Sequence, residues 1–556
     1  MRDDAVKTRA EANDAAATPS ARLSASHADL SQPTSSDQAP SSRTSGHQIS
    51  SNATAWLVVA TVAALLVVPL ATRRGIFLDG LVYATISRNM SVGVGDFWHP
   101  VYVGAIAKFR DHPPLAFWLE SLAFRLLGDH WCVEKIYSVF TGLVTGGIMV
   151  AIWRWLARGK RELQSIAWLP LLMWITLPCW QWTLCNNLLE NTLGIFTAAS
   201  VYCVLRALPS RRFWAAWTLL AALAIVAAAL VKGPVGLFPL VAPMCAALCF
   251  RGDGGFRGDG SFDDGRGVVH AWRTKAVLVQ GLLVLLVAFG IGLLLCRPDC
   301  QEYFQAYWHK QVMASLRGQR ETHPSIIGRA HILWEVFTNV APSMTVAGAL
   351  GWWAGRRQLP AAPLPRIRQS AMFCAVIGIM ASFPVAISPK QTNFYVTPSY
   401  PFYVLGIALW CAEALVQIRA TISTAARAGA ERRLRRLAAG ALVVLAIVSC
   451  VLYGKPRRDW REIEVARIVS QTVPSHTSID VTPEVAREWA LLGYLDRNHF
   501  IRMERKNADR EFRLEVQGSG EPPPGYEPVA VEMPRYRLWR RAERLQADRP
   551  AEMKPR

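Results

Sequence analysis

The sequence predicts an α-helical polytopic membrane protein with a small C-terminal soluble α/β domain. Three observations carry that prediction: an apolar composition, a long series of apolar runs, and a regular alternation of basic loops between them. Of 556 residues, 52% are apolar and the mean hydropathy is positive, which is unusual for a soluble chain. The 21 Trp fall largely near the ends of the apolar runs, as expected for rings that prefer the membrane–water interface. A net charge of +20 would suggest a nucleic-acid partner in a soluble protein. Here the cations sit in short loops between apolar runs, so topology accounts for them and no nucleic acid is expected. The 11 Cys are scattered, mostly inside apolar segments, without metal-ligand spacing.

A span needs about 20 apolar residues. Runs of that kind cover 54–71, 134–156, 165–181, 188–205, 213–231, 234–250, 276–296, 331–354, 370–388, 397–416 and 437–454, which implies about 11–13 transmembrane helices once long runs that split are allowed for. Before them, residues 1–52 are rich in Ser, Ala, Thr and Asp and read as a disordered cytoplasmic tail. Lys and Arg gather in every second loop: Arg158 to Arg161, Arg206 to Arg212, 251–275, Arg356 to Arg368, and Arg419 to Arg436. Basic loops stay in the cytoplasm, so the N-terminus is expected inside and the loops 72–133, 297–330 and 389–396 outside. The transmembrane domain then covers 53–454. Residues 455–556 alternate helix-like stretches (Glu462–Gln471, Glu484–Leu495) with four strand-like ones (Ser478–Val481, Phe500–Met503, Phe512–Val516 and Pro528–Glu532) and are expected as an α/β domain on the outer side.

The first outer loop is too long for a simple connection and holds two helix-like pieces, Leu81 to Met90 and Pro114 to Leu127. Its residues carry a resemblance. Phe77-Leu-Asp79-Gly-Leu-Val-Tyr83 through Arg88-Asn-Met90, then Phe109-Arg-Asp111-His112-Pro-Pro-Leu115, resemble the opening loop of bacterial protein-O-mannosyltransferase-like glycosyltransferases, the superfamily that includes the lipid A aminoarabinose transferase. Lys232-Gly-Pro234, Tyr307-Trp-His-Lys-Gln311 with Arg317, Arg320 and His323 behind it, and Ser388-Pro-Lys390 through Tyr395 and Pro398 are similar to later blocks of the same family, in the same order. The resemblance spans about residues 54–416 and departs at three places: Gly80 stands where the family has Glu, His112 where it has Lys, and the spacing from Lys390 to Tyr395 is one residue longer.

The resemblance implies a GT-C fold and transfer of sugar from a polyprenyl-phosphate carrier to a glycolipid such as lipid A, another glycan or a protein, at the periplasmic face of a bacterial inner membrane. No nucleotide cofactor is expected. Such a reaction needs cations to offset charge on the leaving phosphate, and a carboxylate to deprotonate or hold an acceptor hydroxyl. Asp79 is the candidate carboxylate; its alternative reading is a helix N-cap. His112, Arg317, Arg320, Lys390 and Tyr395 are candidates for the carrier phosphate, against plain interfacial anchoring of the cations. Asp111 with His112 could also hold a divalent metal, or simply start a helix ahead of Pro113-Pro114. Lys232 reads as an interface residue in a short turn, and Tyr83 as packing.

Two other functions stay open from the sequence. A transporter or flippase for lipid-linked sugar usually shows mid-span charges or inverted repeats, which the runs here largely lack. A non-catalytic membrane assembly protein remains the third reading.

Overall fold

The computed structural model describes residues 43–102, 108–250, 266–319, 330–360, 363–504, 510–518 and 524–542. Candidate Arg320 and the neighbouring His323 lie outside the described residues, as does most of the segment read as a disordered tail. The chain divides at residue 48. Before that point only the start of the first helix is described, and the unit from Ile49 onward holds all the other described elements.

All eleven apolar runs are helical. In chain order the helices are α1 (Arg43–Ala71), α2 (Leu78–Ser91), α3 (Leu115–Leu127), α4 (Val133–Leu156), α5 (Arg161–Ser165), α6 (Trp168–Ile175), α7 (Pro178–Cys185), α8 (Leu189–Ala207), α9 (Trp214–Lys232) and α10 (Ala242–Cys249). They continue as α11 (Arg266–Leu295), α12 (Pro298–Tyr307), α13 (Ala314–Leu316), α14 (His331–Arg356), α15 (Pro365–Ile387), α16 (Tyr400–Thr421) and α17 (Thr424–Leu452). The helix α1 begins at Arg43, inside the expected tail, because extending an apolar span adds one hydrogen bond per residue without a new nucleus.

By length and composition, seven helices among the described residues can cross a membrane, or eight if one bent pair counts as a span. This is fewer than the sequence reading, for three physical reasons. The polar residues Glu190, Asn191 and Arg206 in α8, and Glu335 and Asn339 in α14, dilute runs that are otherwise long enough. The run 165–181 breaks by 74° between α6 and α7, where Leu177 is extended ahead of Pro178 at the start of α7. Finally, Trp214–Cys249 is one helical stretch of 36 residues, yet it folds back on itself at Gly233. That glycine has φ +66°, and a Cβ on Gly236 would sit 2.5 Å from the carbonyl of Ala228. The returning arm starts with a 3-10 helix, Gly233–Val241. Its longer rise, about 2 Å per residue, lets that arm and α10 together reach about 30 Å, the thickness of a bilayer core.

The chain closes with α18 (Trp460–Thr472) packed against α19 (Trp489–His499), and α19 against an edge strand of a five-stranded sheet. The strands are β1 (Ser478–Val481), β2 (Arg502–Glu504), β3 (Phe512–Val516), β4 (Tyr526–Pro528) and β5 (Tyr536–Arg541). Their order is β2-β1-β3-β5-β4, with β1 parallel to both neighbours and β5 antiparallel to both of its own. Three of the four strands expected from sequence are found within two residues. The fourth, expected over Pro528–Glu532, ends at Pro528, since proline suits an edge position. Strand β5 has no counterpart among the expected strands; its Arg537 points to water and its Tyr536 and Leu538 face the core.

Candidate active site

The N-terminus of α2 is fixed by the loop after α7. Phe77 is extended and precedes the helix, so Asp79 lies in the first helical turn and is not the N-cap. The Phe77 N–H donates to Asn186 Oδ1 at 2.8 Å. A Cβ on Gly80 would lie 1.8 Å from the Asn186 carbonyl oxygen. Glycine at 80 therefore makes room for a backbone, and the Glu of the related sequences has no space here. Asn187, with φ 54°, donates from Nδ2 to Glu120 Oε1 at 2.7 Å, which ties the same loop to α3.

A cavity of about 320 Å³ is lined by Asp111, His112, Lys232, Pro234, Tyr307, Trp308, Gln311, Ser388, Lys390 and Tyr395 among others. Four separated segments meet there: the first long loop, the turn after α9, the end of α12 with the π-helix Trp308–Met313 behind it, and the loop after α15. These are the loops that the basic-loop alternation placed on one side. Lys232 is held by a buried ion pair with Glu190, at the start of α8. Its ammonium lies 4.1 Å from the centre of the Tyr395 ring, a favourable cation–π distance. The His112 ring meets the Tyr83 ring edge to face at 5.6 Å, and the Tyr303 hydroxyl donates to the His112 carbonyl at 2.5 Å. Neither Asp111 nor His112 caps α3, whose N-cap is Pro114.

Asp79 is half-buried and is not a lining residue of the cavity. Burial raises its carboxyl above the usual range, the charges of Lys232 and Lys390 oppose that shift, and Asp111 adds to it. Asp79 thus shares its electrostatic surroundings with the cavity's two lysines. Tyr83, expected as packing, is 5% exposed and touches both His112 and Phe117.

Arg317 is exposed just beyond α13 and is not part of the cavity wall. Among the described residues no group of three His, Cys, Asp or Glu side chains is placed to hold a metal. Asp111 and His112 share their cavity with Lys232 and Lys390, a set better suited to an anion than to a divalent cation. Sequence reasoning missed Glu190 as a site residue and undervalued Lys232. The available signal was two opposite charges in otherwise apolar surroundings, since a buried charge is kept only when paired.

A second, apolar cavity of about 510 Å³ adjoins the first, between α9 with its returning arm and α11 with α12. Leu230, Leu237, Ile291, Leu294 and Phe304 line it, and it shares Pro234, Tyr307 and Trp308 with the polar cavity. A charged chamber therefore borders directly on an oily groove.

Residues 111–253 match the family described as dolichyl-phosphate-mannose-protein mannosyltransferase; the matched segment contains Asp111, His112, Glu120, Glu190 and Lys232. No curated protein matches the chain by sequence. Among solved structures, ArnT from Cupriavidus metallidurans bound to undecaprenyl phosphate is similar over 87% of this chain and 97% of its own, with 15% identity and a TM-score of 0.55. The same protein in the apo state is similar over 88% and 98%, with 17% identity and a TM-score of 0.55. The chain therefore has the GT-C fold seen in ArnT.

Proposed function

We propose that this chain is a membrane glycosyltransferase that moves a sugar from a polyprenyl-phosphate carrier to a glycolipid, glycan or protein acceptor, at the outer face of a bacterial inner membrane. The observation that carries this reading is the pair of adjoining cavities. A polar chamber with two lysines and a carboxylate at its edge, opening onto an apolar groove, suits a ligand with a phosphate head and a hydrocarbon tail.

In the proposed reaction an acceptor oxygen attacks the anomeric carbon of the sugar, and the bond from that carbon to the phosphate oxygen breaks. The carrier phosphate leaves with the bonding electrons. Lys232 and Lys390 offset its growing charge, with Tyr395 and His112 beside it in the chamber wall. Asp79 takes the proton of an acceptor hydroxyl, and its burial raises its basicity for that task. An acceptor that is itself a phosphate needs no base, and Asp79 then orients it. The ion pair with Glu190 keeps Lys232 aimed while it is desolvated.

The test is transfer of labelled sugar from a polyprenyl-phosphate donor by the purified full chain in lipid. Asp79→Asn is expected to lower kcat with a hydroxyl acceptor by about 10²–10⁴-fold, with the protein still folded. Transfer at the wild-type rate would remove Asp79 from the chemistry. Mass spectrometry of outer-membrane glycolipids with and without the protein would identify the sugar and acceptor together.

A further inference from the structure

The ends of the first and last long helices, α1 and α17, are joined by a short backbone zipper. The Gly454 N–H donates to the Thr72 carbonyl at 2.9 Å, the Arg74 N–H to the Lys455 carbonyl at 3.1 Å, and the Arg457 N–H to the Arg74 carbonyl at 2.9 Å. Neither helix alone makes this feature, and the zipper brings two basic stretches together, Arg73-Arg74 and Lys455 to Arg458. Arg73 Nη2 donates to the Pro456 carbonyl at 2.8 Å, and the buried Lys135 at the start of α4 donates to the Arg73 carbonyl. Trp131 stands between two of these cations, with Arg74 at 5.6 Å and Lys135 at 5.5 Å from its ring centre.

Among the described residues, the acidic side chains next to this cluster are already engaged. Asp459 pairs with Arg458 at 3.4 Å, and Glu134 is committed to Arg497 at 2.8 Å. His499, beside Arg74, adds no negative charge, and burial together with the charge of Arg74 lowers its pKa. The Nε atoms of Arg73 and Arg74 are buried without a hydrogen-bond partner. Lys455 and Arg457 are exposed, next to Tyr453 at 62% and Trp460 at 57% exposure. Exposed aromatic rings beside cations at the end of membrane helices mark the headgroup level of a bilayer. The cluster also reaches the site end of the protein, because the Arg458 guanidinium lies 5.4 Å from the Phe77 ring, two residues before Asp79.

We propose that this cluster is a binding site for a phosphate-bearing lipid headgroup, taken up from the bilayer at the paired ends of α1 and α17. Arginine forks and a lysine at headgroup level suit a phosphate geometrically, and an anionic headgroup brings negative charge to them. The proposal rests on the chain being embedded in a membrane and is independent of glycosyl transfer.

Its test uses the full-length protein in detergent and native mass spectrometry with phosphatidylglycerol and phosphatidylcholine as probes. Wild type is expected to retain phosphatidylglycerol preferentially. Lys455→Gln with Arg457→Gln, both at exposed positions, is expected to weaken that retention roughly tenfold or more. Arg432→Gln with Arg433→Gln, which removes the same charge from the exposed opposite end of α17, is expected to leave it intact. The charge-preserving pair Lys455→Arg with Arg457→Lys is expected to restore it, so a folding defect is distinguishable from lost binding. Equal retention by wild type and the Lys455/Arg457 variant would overturn the site. Transfer assays in phosphatidylcholine nanodiscs separate two sources of the headgroup. A lipid substrate at this site predicts a raised KM in the variant at unchanged kcat, and a resident lipid predicts that added phosphatidylglycerol alters the wild-type rate but not the variant's.

Discussion

Glu120 shows how a single side chain off the cavity can govern the site. It is fully buried on α3, with Asn187 donating to one oxygen and Ser87 Oγ 2.8 Å from the other. The same Ser87 hydroxyl also lies 2.8 Å from the Tyr83 carbonyl. One hydroxyl proton cannot serve both acceptors, so a protonated Glu120 that donates to Ser87 satisfies all three groups. Burial, the dominant cause, pushes its carboxyl up to about 8. Because the folded pKa is raised, the stabilisation is full below the unfolded value and is lost as pH rises through about 8. The Glu120→Gln variant, neutral at every pH, should therefore gain on wild type from about pH 5 to 8, by an amount on the order of a few kcal/mol. Thermal unfolding midpoints of the two proteins across that range check it; a constant difference would mean Glu120 is not held neutral. None of this was legible from the sequence, where Glu120 is one polar residue in an amphipathic helix. Asp111, His112, Lys390 and Tyr395 were legible because their blocks carry Pro and aromatic neighbours in a recognisable order. Gly80 read as a missing acid, and only its contact with Asn186 explains it.

At the level of elements, α2 is held between the membrane helices and the C-terminal domain. Its Arg88 is fully buried and reaches Asp496 of α19, at 3.0 Å to the carboxylate and 2.6 Å to the carbonyl, with the guanidinium 3.7 Å from the centre of the Phe500 ring. The next residue of α19, Arg497, makes the converse bonds to Asp129 and Glu134 at 2.6 and 2.8 Å. Tyr494 accepts from the Ile76 N–H at 3.2 Å, three residues before Asp79. The domain thereby sets the angle at which α2 presents Asp79. Removing one partner of a buried pair strands the other charge, so Arg88→Met should cost roughly 3–5 kcal/mol. The double change Arg88→Met with Asp496→Leu should recover much of that loss, since a packed apolar pair replaces an ionic one. A thermal-stability cycle over the four proteins measures the coupling, and a double variant no better than the single one would show that Arg88 acts through packing alone. The helices of this region were readable from their periodicity, but the clasp between them was not. It joins residues about 400 positions apart, and no local pattern encodes such a pairing.

The whole molecule sorts its loops into two ends, and that sorting was the most legible feature of the sequence. The segments expected on one side meet in the polar cavity. Those expected on the other side converge as well, with Arg366 reaching within 3.7 Å of a Cβ placed at Gly159, and Arg158 feeling the charges of Arg366 and Arg206. Long helices joining these ends, such as α4 with its 24 residues, separate them by about 36 Å at 1.5 Å per residue, enough to cross a bilayer. The fold is compatible with either end facing the cytoplasm, and the loop charges favour one of them. Arg356 to Arg368 and Arg419 to Arg436 are short and densely basic, and such loops are retained on the cytoplasmic side. The cluster around Arg74 and Arg457 opposes that bias, and the headgroup bound there in the proposed site would offset it. A phosphatase that folds only outside the cytoplasm should consequently be active when fused after Arg556 and silent when fused after Arg357. The reverse pattern would place the cavity in the cytoplasm, where nucleotide-sugar donors are abundant, and the case for a lipid-linked donor would then rest on the apolar groove alone.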